Sequence, residues 1–294
     1  MEVVVFTYER GPLFALESAA RLDAPVTLCD ASVSPARREE HARRARALGV
    51  RPLAAPGASL AAQRNVALRS ARDARVAFLD DDCLPRPGWL DALGAALDGA
   101  EVATSRVVAP PLLSGAFGRF FDQDHGARSR TFTRRNLRIL PARPLAPYAG
   151  SSGVAPWAVG SGSSFAVRRE DALRLGGFRE DLGVGTPARS GEDIEFFFRA
   201  LHAGQRIRYA ADAIVDHHHV RRSREDFLGT AHAYARGGRE FLRRAMRRRP
   251  GYALVLLGRP AQLLAIAARC LVEGDRETAA MCGAAFRGWV GLPR

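Results

Sequence analysis

Val76-Ala77-Phe78-Leu79-Asp80-Asp81-Asp82 is an apolar run that ends directly on three carboxylates. The run reads as a buried strand. Working outward, the flanking chain alternates strand and helix patterns. Val3–Phe6, Val26–Cys29 and Val50–Ala54 read as strands. Leu13–Leu22, an arginine-rich Arg37–Leu48 and Leu60–Arg72 read as helices between them. After the triplet, Pro87 opens a helix to Leu97, and Glu101–Val108 is another strand. Alternation of this kind predicts an open, mostly parallel α/β sheet with flanking helices. Such sheets bind ligands beyond the carboxyl ends of their strands. The residues to inspect first are therefore Thr7-Tyr8-Glu9-Arg10, Asp30 and Asp80-Asp81-Asp82.

The rhythm breaks over residues 110–160, which are rich in Pro, Gly, Ser and Arg and read as a functional loop, a lid or a disordered segment. A strand resumes at Ser163–Val167, followed by a short helix ending in Gly176-Gly177. A helix starts near Ser190, Ile207–Tyr209 and Ala213–Val215 read as two short strands, and only helices follow from Ser223. Breaks are expected at Pro250, at Gly258-Arg259-Pro260 and near Gly274. This divides the chain into residues 1–220 and a helical extension, 221–294. The first part splits again into halves at about 1–108 and 109–220.

Composition excludes several chemistries. All 44 basic residues are arginine, so no lysine can serve as Schiff base, P-loop residue or general base. The formal net charge is +13, and residues 201–294 hold 17 of the arginines against 8 of the 31 acidic residues. A basic chain suits nucleic acid. Three clustered aspartates oppose that reading because they repel phosphate, and no helix-turn-helix, zinc finger or RNP signature is present. Cys29, Cys83, Cys270 and Cys282 lie far apart, the usage of a reduced cytoplasmic protein. Met1-Glu2 runs straight into a strand without a signal peptide. The apolar Tyr252–Leu257 is stopped by Gly258-Arg259-Pro260, so no bilayer span is expected. Seven arginines between Arg236 and Arg249 precede it. They leave three options: a solvated face, a site for a phosphate-rich acceptor, or peripheral contact with the inner face of a membrane.

Three clusters can carry chemistry. Adjacent carboxylates such as Asp80-Asp81-Asp82 repel unless a cation or donors sit nearby, and they suit Mg²⁺ or Mn²⁺ shared with phosphates. The bland alternative is an acidic turn capping the next helix. Ser190-Gly191-Glu192-Asp193 opens a helix whose Ile194, Phe197, Phe198 and Leu201 share one buried face. Ser190 and Asp193 have capping-box spacing, while Asp193 could also be a carboxylate kept ionised as a base. In His217-His218-His219, strand alternation puts the outer two on one face, either as metal ligands or as a polar strand end.

Taken together, these motifs resemble the family-2 glycosyltransferases of GT-A fold over about residues 2–240. Tyr8-Glu9-Arg10 stands where the family has a Tyr-Asn-Arg-like triplet, Asp30 where it has its strand-end aspartate, and Gln63-Arg64-Asn65 where it has an Arg-Asn pair. Asp80-Asp81-Asp82 meets the D-x-D motif, with Pro85, Pro87 and Trp89 beyond. Gly176-Gly177-Phe178, Glu192-Asp193 and Val215-Asp216-His217 follow in order. Glu9 and Ser164 depart from the asparagines common at those places. The resemblance implies an inverting displacement on a nucleotide-diphosphate-sugar by an acceptor hydroxyl, dependent on Mn²⁺ or Mg²⁺. It assigns Asp193 as base and Asp82 and His217 to the metal. Thr7, Tyr8, Glu9, Arg10, Asp30, Arg64, Asn65, Asp80 and Asp81 would hold the nucleotide-sugar. A nucleotide-sugar-binding protein without catalysis is the main alternative, and nucleic-acid binding the weaker one.

Overall fold

The computed structural model describes residues 1–10, 13–108, 128–137, 155–218, 221 and 223–293. Most of the 110–160 segment, together with His219, lies outside the described residues.

Among the described residues the strands are β1 (Glu2–Thr7), β2 (Val26–Asp30), β3 (Arg51–Ala54), β4 (Arg75–Asp80), β5 (Cys83–Pro85), β6 (Val102–Val108), β7 (Arg130–Phe132), β8 (Ser164–Arg168) and β9 (Ile207–His217). They form one sheet in the order β3-β2-β1-β4-β8-β6-β9-β5, with β7 paired to β9. β1 runs parallel to β2 and β4, while β8 is antiparallel to both β4 and β6. The sheet is therefore mixed. The apolar runs mark strands buried on both faces, as β1 shows along its whole length.

Helices α1 (Phe14–Ala19), α2 (Pro35–Ala47), α3 (Leu60–Ser70) and α4 (Trp89–Asp98) connect the first strands. Ser34 and Ser59 cap α2 and α3 through Arg37 N–H and Ala62 N–H. α4 starts at Trp89 after a left-handed Gly88, two residues beyond the expected Pro87. The indole of Trp89 is buried and donates to Ser105 and Ser164. Ser164 is thereby buried in the core.

The second half adds α5 (Arg169–Arg174) and α6 (Glu192–His202), and the extension is α7 (Arg224–Ala245), α8 (Tyr252–Val272) and α9 (Arg276–Val290). The apolar core continues from Phe78 and Phe165 through Phe196, Phe197 and Phe198 to Phe241, Tyr252 and Trp289, so the extension shares it.

Three expectations are overturned. The expected strands 207–209 and 213–215 are one strand, β9, which absorbs a bulge against β6 where Ser105 pairs Ala210 and Arg106 pairs Ile214. Ser190 and Asp193 form no capping box: the N-cap of α6 is left-handed Gly191, and Ser190 Oγ donates to Ala233 O of α7. Finally, α8 does not break at Gly258-Arg259-Pro260. It runs 21 residues through Pro260 and, by length and composition, is apolar enough to cross a bilayer. Proline cannot bond the carbonyl four residues back. That carbonyl, of Leu256, instead accepts from Trp289 Nε1 of α9 at 3.0 Å.

Candidate active site

β4 ends at Asp80, and the chain turns through Asp81 and Asp82 into β5. β5 pairs antiparallel with the end of β9, in the register Cys83↔His217. This pairing sets His217 Nε2 3.3 Å from Asp82 Oδ1, and His218 N–H donates to Asp82 O at 2.7 Å. Asp82, Cys83 and His217 bring ligand atoms within 4.8 Å of one another. Carboxylate and imidazole are donors that suit Mn²⁺. Burial pushes the Cys83 thiol well above its ordinary value, leaving it neutral.

Arg10, just beyond β1, lies across the same carboxylates, 2.7 Å from Asp82 Oδ2 and 3.0 Å from Asp81 Oδ1. Thr7 Oγ1 donates to Asp81 Oδ2 at 2.7 Å. Burial pushes the Asp80 carboxyl up to about 7, with Asp82 and Asp81 adding to it and Arg64 and His217 opposing. Burial also lifts Asp81 to about 6 against the pull of Arg10. Burial acts upward on Asp82 too, but His217 and Arg10 outweigh it and hold that carboxyl well below the usual range. The triplet thus divides into one firmly ionised carboxylate and two that hold protons more readily.

Asp193 sits in the first turn of α6, where the helix end favours negative charge. Its Oδ2 accepts Gly162 N–H at 2.9 Å, and its Oδ1 accepts the N–H of Ile194. A Cβ on Gly162 would stand 2.6 Å from Asp193 Oδ2, so only glycine allows this approach. Next to it, Glu192 is buried and paired with Arg64 Nη1 at 2.9 Å. Burial and the charge of Asp193 raise the Glu192 carboxyl, and Arg64 opposes them. Arg64 also donates to Gly162 O and lies among the rings of Phe6, Phe165 and Phe178. It ties α3 to α6 and to the 160–163 loop.

One cavity of about 320 Å³ gathers Thr7, Tyr8, Arg10, Arg64, Asp80, Asp81, Asp82, Asp193 and His217. Three expected residues are not on its wall. Both oxygens of Asp30 are engaged, one by Ser32 N–H and the other by His41, which also bonds Arg10 O. Glu9, with φ 53°, accepts Ser34 N–H. Asn65 accepts Phe178 N–H and donates to Phe178 O and Glu180. These three shape loops around the cavity. The reading of the sequence missed Gly160–Ser163, Trp157, Arg221 and Tyr234, which do line it. The Gly-Ser-Gly-Ser run before β8 was a usable signal, but nothing in the sequence ties α7 to the strand ends.

No protein-family model matches the chain. Over 164 residues it is 32% identical to the pre-mycofactocin glycosyltransferase of Mycobacterium tuberculosis strains CDC 1551 and H37Rv, a match covering 54% of this chain but only 30% of that protein's length. Among solved structures, residues 1–349 of S. aureus TarS in complex with UDP-GlcNAc superpose with a TM-score of 0.52 at 16% identity, covering 99% of this chain and 92% of that one. The UDP complex of TarS gives 0.53 at 19% identity, covering 99% and 91%. GalNAc-T7 with UDP, GalNAc and Mn²⁺ gives 0.50 at 15% identity, covering 74% and 43%. The chain is a homologue of the mycobacterial glycosyltransferase over the matched stretch, and its fold is the GT-A fold of the glycosyltransferases TarS and GalNAc-T7.

Proposed function

We propose that the chain transfers a sugar from a nucleotide-diphosphate-sugar to an acceptor hydroxyl with inversion, using a bound Mn²⁺ or Mg²⁺. The carrying observation is that Asp193 and the Asp80–Asp82/His217 cluster face one cavity at the carboxyl ends of β1 and β4. When bound, the cation neutralises charge developing on the leaving diphosphate. Asp82 and His217 are the residues that would hold it. Thr7 fixes Asp81, and Arg10 is placed to donate to phosphate oxygens. Asp193, at the start of α6, accepts the acceptor hydroxyl proton as that oxygen attacks. Glu192, held by Arg64, fixes the position of the helix end carrying Asp193. Residues 1–108 act as the nucleotide-binding half and 109–220 as the acceptor/catalytic half, which carries Asp193 to meet the acceptor hydroxyl.

We propose separately that the arginine-rich stretch and the outer face of α8 make peripheral contact with an anionic membrane surface. The outer face of α8 exposes Leu254 (71%), Leu257 (75%), Leu264 (50%) and Leu271 (61%) in helical succession. The solvent-exposed arginines Arg243, Arg247 and Arg248 cluster just before the helix. Apolar burial and arginine attraction would add in such contact.

Thermal unfolding with UDP, GDP or dTDP, each with and without Mn²⁺, tests the donor reading. One nucleotide at about 100 times its dissociation constant should stabilise by about 2.7 kcal/mol, only with metal. Asp82→Asn should abolish that response while the protein stays folded. If no nucleotide raises the melting temperature under any condition, the reading fails.

A further inference from the structure

The cavity does not end at Asp193. Beyond Trp157 and Tyr234 it continues between α7, α8 and α9, where Leu263, Met281, Cys282, Ala285 and Trp289 line it. The hollow stays open because alanines stand where larger side chains would fill it, Ala231 and Ala235 on α7 and Ala285 on α9. It is walled by rigid rings: a Cβ on Gly238 would come within 3.0 Å of Trp157 and 3.4 Å of Trp289, so that glycine lets both indoles close on α7. Tyr234 joins the two ends. It is 42% exposed and lines the cavity. Burial raises its phenol, Arg221 opposes, and the charges of Asp193, Glu192 and Asp80 add to the rise.

We propose that this hollow is the acceptor subsite, and that it takes a hydroxyl-bearing molecule with an apolar, aromatic or aliphatic body, neutral or anionic. The proposal rests on the glycosyl-transfer reading. A sugar or polar peptide buried here would lose water from each polar group, and Leu263, Met281, Ala285 and the indole face offer no replacement partners. An aromatic body instead gains apolar burial and ring contacts. Arg259, buried in the same wall, brings a positive charge that disfavours cationic bodies and suits a carboxylate. With the body in the hollow, the hydroxyl projects past Tyr234 toward Asp193. There the acceptor oxygen bonds the anomeric carbon as its proton passes to Asp193. The bond from that carbon to the diphosphate breaks, and the nucleoside diphosphate leaves with the electron pair.

Quenching of tryptophan fluorescence reports on the hollow through Trp157 and Trp289. The probes are 4-methylumbelliferone and 4-hydroxyphenylpropionate, against cationic tyramine and polar methyl glucoside. We expect the first two to bind at least tenfold more tightly than the last two. Ala285→Phe, which fills the hollow, should weaken aryl binding at least tenfold and keep the Mn²⁺-dependent nucleotide shift. If Ala285→Phe does not fold, Ala235→Leu fills the hollow from α7 and is read the same way. Aryl binding unchanged in a folded filled variant, or methyl glucoside binding as tightly as the aryl probes, overturns the proposal. If the nucleotide shift is absent from wild type while the filled variant loses aryl binding, glycosyl transfer fails and the apolar site stands.

Discussion

Trp289 Nε1 donates to the carbonyl of Leu256 at 3.0 Å, the carbonyl that Pro260 leaves without its helical partner. The contact joins α9 to the middle of α8. Trp289→Phe keeps a ring in place but leaves a carbonyl unpaired, at a cost of about 1–3 kcal/mol. Pro260→Ala restores a helical N–H donor for the same carbonyl. Urea unfolding should therefore find the double variant more stable than Trp289→Phe alone, and no difference would break this account.

Arg64 and Glu192 form a buried pair 128 positions apart in sequence. Arg64→Ala should destabilise by about 3–5 kcal/mol, because it leaves Glu192 uncompensated. Glu192→Gln in the Arg64→Ala background should recover part of the loss. The denaturation midpoints of the four proteins in that cycle decide the coupling.

Asp193→Asn should fold, lose less than about 1 kcal/mol as a helix-end charge, and retain nucleotide binding. Loss of a general base lowers kcat by about 10²–10⁴. Steady-state transfer assays and melting curves read the two effects separately. Near-normal kcat would leave Asp193 only a place at the helix end.

Glu2 is buried, accepting from Arg72 N–H, Thr27 and Arg51. Burial pushes its carboxyl up, but those donors together outweigh it and hold it below its ordinary 4.5. A carboxyl lowered on folding contributes stability above its unfolded value and loses it as pH falls through the folded one. Glu2→Gln should therefore be less stable than wild type at pH 7, with the difference shrinking below pH 4.5. Melting curves across pH 3–7 check the sign.

Co-sedimentation with anionic vesicles should be strong at low salt and weak at high salt, and neutral vesicles should bind little. Leu257→Glu and Leu264→Glu on the exposed face of α8 should abolish it without lowering the melting temperature. Failure to bind at any lipid composition removes the membrane from the proposed function.

The sequence by itself determined the layered α/β architecture and the place of the acidic turn. Side-chain periodicity is local: the apolar runs of β1, β2, β4 and β6 had to be buried strands, and a strand ending in Asp80-Asp81-Asp82 had to present carboxylates at its end. The motif order also selected Asp193 and His217, which the fold brings into one cavity with the triplet. Only the tertiary structure decided the rest, because those outcomes depend on partners far along the chain. Asp82 meets His217 through β5, a strand of three residues too short to show a period. Asp30 and Asn65 carry site-like residue types, yet His41 and the Phe178 backbone engage them. Gly258-Arg259-Pro260 is a local stop signal, but α8 continues because a tryptophan from another helix satisfies the one carbonyl that proline cannot.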